Sequence, residues 1–169
     1  MRLGFVQSAP GGGLDAAFAA LAAALGVQGL RVAGAVQRTE RTPEGRLAGM
    51  ELELLPDGPA LDIAQKLGAA AAGCRLDPGA LEQATEEIAR RVEAGADLLI
   101  VPRFGEREAE GGGFRAAIAA ALERDVPVLV GLAPSWRTAF EAFAGGLAEP
   151  VPADPAALRA WALSARGAA

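Results

Sequence analysis

The stretch Asp97–Arg115, DLLIVPRFGEREAEGGGFR, decides the fold. Leu98, Leu99, Ile100 and Val101 form an apolar run without alternation, the mark of a strand covered on both faces at the centre of a parallel sheet. The chain then passes into a loop carrying Arg103, Glu106, Arg107, Glu108 and Glu110. After three consecutive glycines, Phe114, Ile118 and Leu122 begin a helix. Such a strand delivers charge to the carboxyl edge of the sheet, where open α/β folds bind their ligands.

Outward from this centre, strands and helices alternate. Leu3–Gln7 is a short apolar strand that opens into a glycine-rich turn. Leu14, Phe18, Leu21 and Leu25 then recur at helical spacing, with Gly26 as the expected C-cap. Leu30–Gln37 is the next strand, followed by a polar loop, TERTPEG. Met50, Leu52 and Leu54 alternate with Glu51 and Glu53, and Leu61 and Ile63 resume the alternation after a Pro56–Pro59 turn, so residues 46–65 are expected to form an inserted β-hairpin. Lys66–Leu76 has no clear period, and its small residues suit close approach to a backbone or a ligand. Asp77-Pro78 supplies an N-cap and a first-turn proline. The helix after it buries Leu81, Ala84, Ile88 and Val92 and carries the outward pairs Glu86–Arg90 and Glu87–Arg91. Val126–Leu132 is another buried strand. Trp136, Phe140, Phe143 and Leu147 mark a helix whose aromatics are core, and Asp154-Pro155 starts a last helix with Leu158, Trp161 and Leu163. The expected fold is a three-layer α/β domain spanning residues 1–169, with a mainly parallel sheet.

Composition narrows the function classes. The chain has 169 residues, 51% of them hydrophobic, yet no apolar run nears the roughly 18 residues of a membrane span. The N-terminal MRLGFVQSAP has too little apolar length for a signal peptide, so a cytoplasmic location is expected. A single cysteine, Cys74, excludes an internal disulfide, and the lack of histidine argues against zinc or histidine-based catalysis. The net charge of −5 and the lack of a basic cluster argue against nucleic acid as a partner.

Ser8-Ala9-Pro10-Gly11-Gly12-Gly13-Leu14-Asp15 stands where a phosphate-binding loop would stand, between a strand and a helix. That chemistry needs a lysine for the phosphates and a hydroxyl for magnesium. Leu14 and Asp15 take those places, and an aspartate there repels phosphate. At the central strand, nucleoside triphosphatases end in an acidic magnesium ligand; here Val101 leads into Pro102 and Arg103. Magnesium-dependent hydrolysis is therefore not expected. Two readings of the glycine loop stay open: a structural turn with Asp15 serving the helix N-terminus, or an amide cradle for a smaller or less charged ligand.

LIVPRFGEREAEGGGFR, GCRLDPGAL and VAGAVQR together resemble a bacterial family catalogued as a domain of unknown function. Its pattern runs from a strand into Asn-Arg-Phe-Gly-Lys-x-Glu-x-x-Gly-x-Gly, with Gly-Cys-Arg-Leu-Asp before a helix. The match is specific at Gly73–Asp77, Arg103-Phe104-Gly105, Glu108, Gly111 and Gly113, and departs at Pro102 and Glu106. The family is similar in layout to P-loop nucleoside triphosphatases, and its members often neighbour molybdenum-transport or molybdenum-cofactor genes. The resemblance implies a P-loop-like layout with degenerate motifs, a small anion or nucleotide-like ligand, and a protein partner in molybdenum metabolism. No cofactor is identified, and no metal is expected.

The candidate ligand-binding residues are Ser8, Gly11, Gly12, Gly13, Cys74, Arg75, Arg103, Glu108 and Arg115. Arg115, in a first helical turn, opposes the helix dipole and is better explained by an anion or carboxylate partner. The alternative for the arginines is ion pairing, with Arg75 and Arg103 held by Asp77, Glu108 or Glu110. Glu106, Glu108 and Glu110 read as a solvated face, and Cys74 as a small buried side chain rather than a nucleophile. Two functions follow from these residues. One is a non-catalytic binding or adaptor domain for a nucleotide-like molecule or small oxyanion; the other is an enzyme acting on a small phosphorylated or carboxylated metabolite.

Overall fold

The computed structural model describes residues 2–9, 12–65 and 75–166. The elements run β1 (Leu3–Gln7), α1 (Leu14–Gly26), β2 (Val32–Arg41), β3 (Leu47–Leu55), β4 (Ala60–Asp62), β5 (Ala64–Gln65), β6 (Arg75–Leu76) and α2 (Pro78–Glu93). They continue with β7 (Leu98–Phe104), α3 (Glu106–Ala109), α4 (Arg115–Glu123), β8 (Val128–Leu132), α5 (Arg137–Ala144), β9 (Ala148–Pro150) and α6 (Pro155–Arg166). Among the described residues the main sheet has the order β4-β3-β2-β7-β8-β1-β9. Its pairings are parallel from β2 to β9 and antiparallel from β2 through β3 to β4. The expected hairpin is thus real, and it extends the sheet.

The apolar run of β7 is explained by two cores. Leu98 and Ile100 face α1 and α6, where they meet Phe18, Leu21, Leu25 and Leu158. Leu99 and Val101 face α2, α4 and α5, where they meet Ile88, Ile118 and Phe140. Every position of the run is buried because each face of the sheet has its own helix layer. The Asp77 carboxylate accepts the Ala80 amide at 3.0 Å and caps α2 as expected, a contact of the kind that contributes about 1 kcal/mol.

Two irregularities shape the carboxyl edge. First, β2 pairs with β7 only through Gly34↔Ile100 and then leaves it to follow β3 as far as Arg41. Gly34 has a φ of 118°, and a Cβ there would sit 1.9 Å from the Ile100 carbonyl oxygen. Second, β7 does not stop at Val101. It runs on to Phe104 across a register shift in which Pro102 and Arg103 together face Gly131. Pro102 has no N–H, and it stands where β2 has already left the ladder, while on the β8 side the strand continues through a bulge. The extra residue reverses the alternation. Phe104 therefore lands beside Val101's core, edge-on to Phe140 at 5.2 Å, while Arg103 is left at the surface.

Several local expectations change. β2 extends four residues beyond Gln37, since β3 offers a full antiparallel partner to what the sequence presents as a polar loop. Val126 and Pro127 precede β8 rather than belonging to it. Leu147 lies past α5 and is 61% exposed, and Leu163 points outward at 39%. Glu87 takes both Arg90 and Arg91, the former at i,i+3. The Glu106–Ala109 segment is a short helix rather than a loop.

A Cβ at Gly131 would sit 2.1 Å from the Pro102 carbonyl oxygen and 3.0 Å from Leu14 Cδ2. Gly131→Ala should therefore lower stability by about 1–3 kcal/mol, read as a shift of the urea midpoint. An unchanged midpoint would show that the bulge is not locked by close backbone approach.

Candidate functional site

The strand order changes direction between β8 and β1. From β1 the chain leaves through α1 on one face, and from β8 it leaves through α5 on the other. Connections that part to opposite faces leave a crevice outside the carboxyl ends of the strands. A cleft of about 690 Å³ opens there. One wall is the turn after β1 with the start of α1, through Ser8, Gly12, Leu14 and Asp15; another is the bulge, through Pro102 and Arg103. β8 contributes Gly131 and Leu132, and the turn beyond it contributes Trp136. The splayed end of β2 supplies Gln37, Thr39 and Arg41, alternate residues that share one face of the strand. A side pocket of about 230 Å³ adjoins the cleft across Gln37, Met50, Pro102, Arg103 and Gly105. Its remaining lining is largely apolar, with Leu52, Ile63, Leu76, Leu81 and Phe114 beside Glu106, Arg107 and Glu108.

The cleft mixes polar and apolar walls and is nearly charge-balanced. Arg103 Nη2 meets Asp15 Oδ2 at 3.0 Å, joining the bulge to the first turn of α1. The Arg103 side chain is 59% exposed and that of Asp15 is 30% exposed, so the pair is solvated and each partner keeps free bonding capacity. Gly12 and Gly13 take φ values of 85° and 100°, and a Cβ on either would meet nothing within 4 Å. The Gly12 amide donates to the Ala9 carbonyl at 3.4 Å, and no side chain caps α1. Ser8 donates its amide to the Leu132 carbonyl at 2.9 Å, tying the turn to the end of β8.

The structure sorts the candidate residues. Ser8, Gly12 and Arg103 come together in the cleft, with Gly13 next to it as the N-cap of α1. Gly11 and Cys74 lie outside the described residues. Arg75 pairs with Gln65 in the β5–β6 ladder. Arg103 is ion-paired, but with Asp15 rather than with a carboxylate of its own loop. Arg115 lines neither cavity: its guanidinium lies 4.6 Å from the centre of the Phe143 ring, so an aromatic face answers the cation. Asp15, Gln37, Thr39, Arg41 and Trp136 are cleft residues that the sequence reading placed at a helix start, a strand end, in a loop or in the core. The β-alternation of Gln37, Thr39 and Arg41 was the available signal, masked by the neighbouring Thr-Pro-Glu-Gly.

Glu108 is the largest departure among the acids. Instead of a solvated position it is 4% exposed, accepting Gly105 N–H at 2.9 Å and Phe114 N–H at 3.0 Å. The glutamate three residues after Gly105 reaches back to the N-cap amide, as in a capping box, and its other oxygen fastens the start of α4. Its carboxylate is committed to closing the loop. Arg107 reinforces the closure through Glu82 at 3.2 Å, and Glu82 also accepts the Gly113 amide at 2.9 Å. Glu108→Ala should cost about 2–3 kcal/mol by stranding two amides, whereas Glu106→Ala at the exposed neighbour should stay within about 0.5 kcal/mol. Chemical denaturation of both variants reads the difference, and equal midpoints would remove Glu108 from this role.

Three comparisons place the chain. A solution structure of a human cancer-related nucleoside triphosphatase superposes with a TM-score of 0.67 at 16% identity, covering all of both chains. The crystal structure of THEP1 from the hyperthermophile Aquifex aeolicus gives 0.59 at 12% identity, covering 97% of this chain and 96% of that one. At such identities the likeness concerns layout alone, and the layout is that of the P-loop nucleoside triphosphatases. In sequence, the chain is 30% identical over 160 residues to "Molybdenum import ATP-binding protein ModC 2" of Bradyrhizobium diazoefficiens. The match takes in 95% of this chain but spans only 18% of that protein's length. The family model described as "Protein of unknown function (DUF2478)" matches residues 3–161, and the chain belongs to that family.

Proposed function

We propose that this is a non-catalytic binding or adaptor domain that recognises a nucleotide-like molecule or small oxyanion at the carboxyl edge of its sheet. The observation that carries the reading is the Arg103–Asp15 pair beside the open Gly12–Gly13 turn. Asp15 stands at the hydroxyl position of a phosphate-binding loop, and Arg103 follows the strand that elsewhere ends in a magnesium ligand. With an arginine and an aspartate in those two places, the charge a metal would bring comes from a side chain. A guanidinium beside a glycine turn on one rim suits an anion without a metal.

Catalysis has less support. Among the described residues no cluster of three or more histidine, cysteine, aspartate or glutamate side chains could hold a metal. The buried carboxylate Glu108 is occupied by backbone amides, which among the described residues leaves no sequestered acid or base facing the cleft. The similarity to under a fifth of a molybdenum import ATP-binding protein supports a module attached to a transport function, with molybdate among the oxyanions to try.

The test is calorimetric titration of the chain with phosphate, sulfate, molybdate and mononucleotides. Arg103→Ala should weaken the best anion at least about tenfold, since charge-assisted bonds contribute roughly 1.5–3 kcal/mol. Asp15→Asn should tighten it severalfold by removing the built-in competitor, and Arg90→Ala on the outer face of α2 should change nothing. Three variants that bind alike would leave the arginine a purely structural role. In a separate assay, ATP or GTP with magnesium should not turn over; rates on the order of 1 per second that persist through purification controls would overturn the non-catalytic reading.

A further inference from the structure

The main cleft and the side pocket form two parts of one recess, the cleft mixed in polarity and the side pocket largely apolar. Arg103 belongs to both, along with Gln37, Met50, Pro102 and Gly105. Any group held by its guanidinium therefore stands at the entrance of the side pocket. Beyond that entrance the walls turn apolar: Leu52, Ile63, Leu81 and Phe114 are at most 5% exposed and Leu76 is half-buried. These are the residues of the core beneath α2, reached from outside because β2 has parted from β7.

Size points the same way. The cleft, at about 690 Å³, lies within the range of about 300–1,000 Å³ usual for organic ligands. A tetrahedral oxyanion is only a few waters in volume, each water taking about 30 Å³, and would leave most of the recess and all its apolar wall unused. Resting on the anion reading above, we infer that the ligand is an organic anion whose charged group sits at Arg103 and the glycine turn while a ring-sized apolar body enters the side pocket. This favours the nucleotide-like half of the proposal over a bare oxyanion, and it places the body between β3, β7 and α2.

Phenyl phosphate and inorganic phosphate share an anionic head and differ in the body, so their affinities for the full chain isolate the side pocket. Phenyl phosphate should bind about tenfold tighter or more, the yield of burying one aromatic ring, and Arg103→Ala should weaken both. Leu76→Gln, which alters the side pocket alone, should remove most of the phenyl advantage and leave phosphate binding unchanged. Met50→Gln, on the shared wall, gives the same readout should the first variant fold poorly. Equal binding of the two probes overturns this inference while the anion reading stands. A phenyl advantage that survives both substitutions puts the body elsewhere and also overturns it. Failure of both probes to bind removes the anion reading and this inference together.

Discussion

A central strand can pass a proline only where its missing N–H would meet no ladder partner, and the carboxyl edge of this sheet is built around such a point. Leu99 donates to Pro127 on the β8 side, so by alternation Pro102 turns toward the side that β2 has left, and across from β8 two residues bulge against Gly131, which has no side chain to obstruct them. The bulge changes parity by one. Phe104 falls into the aromatic group of Phe5, Phe140 and Phe143, and Arg103 falls into the cleft. A regular strand would direct Arg103 to the helix layer that Val101 faces, and Phe104 to the opposite one. The aromatic packing that holds α5 and the cation at the cleft mouth thus share one cause. Gly34 supplies the complementary half, allowing β2 to approach Ile100 and then leave, so that a space opens between two strands that were paired three residues earlier.

The Arg103–Asp15 pair has a different standing from these backbone features. Both side chains are partly solvated, and pairs of that kind contribute about 0–1 kcal/mol. It is too weak to hold α1 against the sheet, a task done by Phe18, Leu21 and Leu25. Its weakness suits a binding role, because an arriving anion can exchange for Asp15 without disturbing the fold. Glu108 stands at the opposite extreme. Buried and doubly bonded to amides, it belongs to the structure of the loop, although in the sequence it looks no different from its exposed neighbours Glu106 and Glu110.

How far the sequence revealed all this depends on the range of each signal. Leu98–Val101, the α1 and α2 stripes and the Asp77 and Asp154 caps are local patterns, and they appear in the structure where they are written. The parity of Phe104 and the full length of β2 rest on partners distant in the chain, Gly131 and β3, which no local window contains. Arg115 illustrates the same limit: its place in a first helical turn suggested an anion, but Phe143, from another helix, answers the charge. At the cleft, Ser8, Gly12 and Arg103 were recognisable because they occupy known positions of a phosphate-binding layout. Arg41 and Trp136 were not, since only the splay of β2 and the turn after β8 bring them there.

Charge sets a further constraint on what the cleft can take. The chain carries a net charge of −5, so it does not draw anions from a distance; beyond about 8 Å at physiological ionic strength its field is screened in any case. On the proposed reading, capture rests on short-range contacts at Arg103 and Arg41 beside the glycine turn, and Asp15 offsets part of that cationic charge. A polyphosphate gains most from concentrated positive charge and a metal, and among the described residues lining this cleft there is no lysine and no cluster that could hold a metal. A ligand with a single anionic group loses less to Asp15 and gains from the apolar wall, a contribution that neither net charge nor salt diminishes. On the proposed reading, the substitutions at Asp15 and Arg103 that argue against hydrolysis are also the ones that shift selectivity from charge-rich ligands toward ones with an apolar body.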